Sequence, residues 1–139
     1  MKHNLILRLI AKYLFPVIAL FAFYVQFHGE YGPGGGFQAG AIFSVAFIFY
    51  AIVFGLETAE QVMPPQVLRM LASIGILIYA GTGITTMAMG GNFLDYSLLS
   101  SIPARGQHIG IMIIELGIGI TVSAVMVMMY YAFASKGRP

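Results

Sequence analysis

The chain has 139 residues, of which 59% are hydrophobic and 9% charged, with a formal net charge of +2. Soluble domains are about 45–50% apolar and about 25% charged, so a water-soluble globule is excluded, and an aromatic content of 14% excludes a disordered chain. The few basic residues form no patch, which excludes a nucleic-acid binder, and the absence of cysteine removes disulfides, thiolate metal sites and cysteine nucleophiles.

A helix needs about 20 apolar residues, at 1.5 Å each, to cross roughly 30 Å of hydrocarbon. Four stretches meet this requirement. Residues 6–27 form the first, free of charge from Tyr13 onward. Lys12 can snorkel to the interface, and Pro16 predicts either a kink or the point where the helix begins. A cleaved leader is a poor reading of this run, which is long, starts late and lacks a small-x-small site at its end. Residues 37–56 form the second span and carry no charge. The third, residues 67–89, is uncharged after Arg69, and the fourth, residues 107–134, is interrupted only by Glu115. The predicted fold is an all-α integral membrane protein, one domain over 1–139 built as a four-transmembrane-helix bundle. Lys2, Arg8, Lys12, Arg69, Lys136 and Arg138 then share one side of the bilayer, with only Arg105 opposite. That asymmetry predicts cytoplasmic termini and places Tyr130 and Tyr131 at the inner interface.

The first loop is rich in glycine around Gly29, Gly32 and Gly34-Gly35-Gly36. A phosphate cradle would need Lys and Ser/Thr after its last glycine, whereas Phe37-Gln38 follow here. Two readings remain: a tight turn into the second helix, or exposed backbone lining an ion path at that helix's start. Gly36, Gly40 and Ser44 lie four apart, a stripe of small residues that allows close approach of a neighbouring helix.

Glu115 is the only acid within a span. Counted from Gln107 it lies roughly 12 Å below the outer end, close to the midplane. Hydrocarbon disfavours its ionised form, so it must be neutral, paired, hydrated or facing another protein, and it serves either as a proton relay or as interhelical glue. Thr82, Thr85 and Thr86 on the third span either bond their own backbone or help coordinate a cation, so Thr82 and Thr86 join Glu115 as ion-path candidates. Asp95, in the outer loop, reads as a solvated turn or a helix cap. His28 and His108 show no metal-ligand spacing, and the nine methionines are explained by packing. No nucleophile, metal site or cofactor motif is present, so the sequence does not read as an enzyme.

Three segments resemble one known family. Pro33-Gly34-Gly35-Gly36-Phe37-Gln38-Ala39-Gly40 is similar to the signature of the B subunit of Mrp-type multisubunit sodium/proton antiporters. Gly91-Asn92-Phe93-Leu94-Asp95-Tyr96 resembles the outer loop of that family, and Ile114-Glu115-Leu116-Gly117 onward resembles its last helix. The likeness runs in order from His28 to Tyr130, with a departure at Glu30, where many relatives have histidine after glycine. The resemblance implies a subunit in the cell membrane of a prokaryote, packed beside large subunits similar to the proton-pumping subunits of respiratory complex I and beside other small subunits. Sodium and the proton are the implied transported species. Glu115 would be the protonatable or cation-attracting group and Pro33–Gly40 would shape the start of the second helix. The alternatives are a purely structural subunit and the equivalent subunit of a complex I-related membrane-bound hydrogenase.

Overall fold

The computed structural model describes residues 5–29 and 34–136. Four long apolar helices dominate it: α1 (Leu5–His28), α2 (Gly36–Phe54), α4 (Pro65–Ala88) and α5 (Pro103–Ser135). All four are long and apolar enough to cross a bilayer. A short helix, α3 (Leu56–Val62), joins α2 to α4, and a 3-10 turn (Tyr96–Leu99) lies between α4 and α5.

Side-chain chemistry sets the boundaries. Helix α1 runs unbroken through Pro16, so the proline does not mark its start. Gly55, at φ 100°, breaks the apolar run of α2, which therefore ends two residues short of the expected boundary. The Leu56-Glu57-Thr58-Ala59 segment then forms the seven-residue α3, and Pro64-Pro65 ends it and opens α4. Pro103 likewise opens α5 four residues before its apolar stretch, giving 33 residues, about 50 Å of helix.

The long helices stand in the spatial order α1, α2, α5, α4, and α1 touches α5 only marginally. Ring contacts of Phe15 with Phe47 and of Phe23 with Phe43 set α1 antiparallel to α2. Helices α2 and α5 run parallel: Gly36 meets Glu115, Gly40 meets Gly119, and the Ser44 hydroxyl lies 3.3 Å from Met126 Sδ.

The side-chain core sits at the end of the molecule where α2 finishes and α4 begins. Ala51, Ala59, Leu68, Ala72, Ala124, Val127 and Tyr131 cluster there, and the Tyr131 hydroxyl donates to the Met63 carbonyl at 3.3 Å. Toward the opposite end, contact is glycine against backbone. A Cβ on Gly40 would stand 2.6 Å from the Gly119 carbonyl oxygen, and one on Gly75 would meet Thr121 and the Gly117 carbonyl. Large apolar side chains instead point outward along the helices, including Ile6, Leu20, Leu77, Ile84 and Phe133. This distribution suits lipid as solvent, where small residues let helices pack and large ones face the tails.

Candidate functional site

Helix α2 begins without a side-chain cap. Gly35 occupies its N-cap with φ 130°, a conformation open to glycine, and supplies no side-chain cap of its own. The first N–H groups of a helix have no acceptor within it, and together with the helix dipole they favour negative charge at that end. Glu115 is the acid brought there. A Cβ on Gly35 would lie 3.1 Å from Glu115 Oε1 and 3.4 Å from Gln38 Oε1, while one on Gly36 would overlap the Glu115 backbone carbonyl. The bare backbone at both glycines is what lets the carboxyl reach the start of α2.

Gln26 of α1 joins from the other side. Its Oε1 stands 2.6 Å from where a Cβ on Gly119 would be, one turn along α5 from Glu115. Side chains from three helices thus place a carboxyl and two amides around one helix terminus.

Twelve residues of α5, about 18 Å, precede Glu115, and it is level with the first turn of α2. Both hold because α5 starts earlier than its apolar stretch and α2 starts at Gly36.

The other candidates are distributed as follows. Gly34 lies where the chain folds back, and a Cβ there would stand 2.9 Å from the Val25 carbonyl oxygen. Phe37 points outward, 58% exposed, and Gly40 is buried against α5. Pro33 falls outside the described residues. The Thr82 hydroxyl donates to the Ile78 carbonyl at 2.8 Å, as hydroxyls in membrane helices commonly do. Thr86, fully buried, bonds the carbonyls of Gly83 and Asn92 and accepts from the Leu94 N–H at 3.0 Å. Both hydroxyls are thus engaged by local backbone, one of the two readings the sequence leaves open for them. Thr86 is a latch for the loop after α4. Leu94 takes φ 65° there, and the Phe93 ring fills the space a side chain at Gly83 would need. Thr86→Val is expected to cost about 1–3 kcal/mol, because the Leu94 N–H loses its acceptor; thermal unfolding and protease sensitivity of the 89–96 segment measure it.

Asp95 starts the 3-10 turn, accepting from the Ser97 N–H at 3.3 Å and from the Ser97 hydroxyl. Tyr96 packs across Gly110 of α5, and burial, with the nearby Tyr79 adding to it, raises its phenol above the usual tyrosine range. Gln26 and Gln38 were not singled out from sequence, although each is an amide at the edge of an apolar span.

Residues 6–128 match the family model described as a domain related to the MnhB subunit of Na+/H+ antiporter. The chain belongs to this family. Proteins of Staphylococcus aureus strains Newman, COL and USA300, each under the provisional name antiporter subunit mnhB2, are 39% identical to it over 131 residues, covering 91% of this chain and 92% of each relative. MnhB family membership and four membrane-length apolar helices identify a multi-pass membrane protein.

Proposed function

We propose that the chain works as a small membrane subunit of a multisubunit Na+/H+ antiporter, with Glu115 carrying protons or attracting sodium at a boundary between subunits. The observation that carries the site is the Glu115 carboxyl held against the uncapped first turn of α2. A carboxylate with the amide oxygens of Gln26 and Gln38 is an all-oxygen set, which suits a hard cation such as sodium as well as a proton. Large complex I-like subunits and other small subunits are the partners in this reading. The excess of Lys and Arg on one side puts both termini in the cytoplasm, so the start of α2 opens toward the outside.

The glycine contacts of α2 with α5 give the chain a second part, in assembly, because they fix the face that neighbours meet. The two parts separate experimentally. Native membranes are treated with dicyclohexylcarbodiimide, a lipophilic reagent that modifies protonated carboxyls in hydrocarbon, and this chain is then mapped by mass spectrometry. Glu115 is expected to be labelled, more slowly when sodium is present. An intact, active complex in which Glu115 never labels at acidic pH contradicts its part in the path.

A further inference from the structure

A groove opens between α1 and α5 over the face of α2, because these two outer helices barely touch. It holds about 210 Å3, and its walls, Ala22, Gly40, Leu116 and Ile120 among them, are almost wholly carbon. Phe23 and Phe43 border it, their ring centroids 5.5 Å apart, and from them a row of rings follows α2 toward the end where α1 begins. Phe43 meets Phe47 at 5.4 Å, Phe15 meets Phe47 at 5.1 Å and Tyr50 at 5.9 Å, and Tyr50 meets Phe54 at 4.5 Å. The row ends at a cation. The guanidinium carbon of Arg8 stands 5.2 Å from the centroid of the Phe54 ring, a contact that occupies none of its N–H donors. Lys12, exposed and one turn along α1, reaches back toward it, since helical side chains lean toward the N-terminus. Arg8, Lys12, Ala19, Phe23 and Gln26 recur at helical spacing, so the two cations and the groove share one face of α1.

We propose that this face binds an anionic phospholipid, its phosphate between Arg8 and Lys12 and one acyl chain following the aromatic row into the groove. The inference goes beyond the antiporter reading and does not depend on it. The dimensions agree. Phe43 lies eleven residues from Phe54, about 16 Å along α2, which is one leaflet of a hydrocarbon layer roughly 30 Å thick. A headgroup at Arg8 therefore brings the tip of the chain to the groove. A whole helix is too large for it, since one turn of a cylinder about 10 Å across takes roughly 400 Å3. Charge selects the class of lipid. The planar donors of an arginine, with an ammonium beside them, match a phosphate, and each basic residue near the surface favours an anionic headgroup about fivefold. A zwitterionic headgroup carries its own cation and gains less. The acids at this end, Glu57 and Glu60, belong to α3, which packs on α2 and α5, and Glu60 lies within electrostatic reach of Tyr131.

Photoactivatable lipids test the proposal on the chain together with the subunits that accompany it, purified in mild detergent and returned to phosphatidylcholine vesicles. One probe is phosphatidylglycerol and the other phosphatidylcholine, each at the same limiting amount and each with a diazirine near the tip of one acyl chain. Adducts are mapped by mass spectrometry. The expected result is labelling around Phe23, Phe43 and Leu116 that is stronger with phosphatidylglycerol by about twenty-five-fold, the product of two fivefold preferences. Arg8→Gln and Lys12→Gln should each lower that preference by about fivefold, whereas Lys136→Gln, at the end of α5, should leave it unchanged. Equal labelling by the two probes overturns the site, as does labelling spread evenly over the outward faces of all four helices. An unlabelled groove overturns it too and gives the groove to protein. Where a variant fails to fold, the contrast between the two probes on the unsubstituted chain still decides.

Discussion

Glu115→Gln is expected to abolish Na+/H+ antiport while leaving the complex assembled. The substitution keeps the size of the side chain and its ability to accept from the first turn of α2, and removes only the titrating group. Helix α5 therefore still packs through Gly119 on Gly40 and through the Glu115 backbone on Gly36, contacts that do not involve the carboxyl. A positioned proton-transfer group contributes about a hundredfold or more to the rate of the step it serves, so the initial rate of sodium-driven pH change in everted vesicles should fall by about that factor. Glu115→Asp, which retains the charge on a shorter arm, should recover part of it. Normal antiport by Glu115→Gln at matched subunit levels would assign this chain to assembly alone.

The largest structural effect is expected at Gly36. An alanine Cβ there would overlap the carbonyl of Glu115 and come within 2.9 Å of its Cα, all backbone atoms that cannot rotate away. Either α2 moves off α5, which pulls the start of α2 away from the acid, or the chain fails to fold. Overpacking a tight contact costs about 1–3 kcal/mol even where side chains can yield, and here they cannot, so a loss above about 3 kcal/mol is expected. Gly81 provides the contrast. A Cβ at that position meets nothing within 4 Å, so Gly81→Ala should be neutral or gain about 0.5–1 kcal/mol of helix stability. Thermal unfolding of the two variants in mild detergent, with the amount of assembled complex in membranes, separates these outcomes. Equal stability for both would contradict the α2–α5 contact.

Much of this architecture is written in the composition, because a run of apolar residues longer than the hydrocarbon is thick leaves one physical solution, a spanning helix. The four spans follow directly. Helix α5 exceeds its apolar stretch since a proline at the first position, followed by Ala104 and Arg105, starts a helix without further hydrophobicity. Helix α3 was illegible for another reason: seven residues between two breakers carry too little periodicity to read. The stripe of Gly36, Gly40 and Ser44 announced a close helix neighbour, yet nothing in one sequence says which helix it meets. That neighbour proves to be α5, and the stripe lands on Glu115 and Gly119. Glu115 stood out because an acid in hydrocarbon is costly. Gln26 did not, because one neutral amide scarcely alters the hydropathy of α1, though the same cost argument applies to it. Thr82 and Thr86 are harder to read than either, since hydroxyls on a membrane helix bond backbone nearby, as both do here, whatever else they serve.

That this chain acts as one subunit of a larger cation/proton antiporter is tested most directly by purifying it, tagged at its native level, from its own membranes in mild detergent and identifying by mass spectrometry what accompanies it. Large membrane subunits of the antiporter type, together with further small subunits and without redox proteins, are the predicted companions. Recovery of the chain alone, of copies of itself only, or with nickel-iron and iron–sulfur subunits would contradict the assignment.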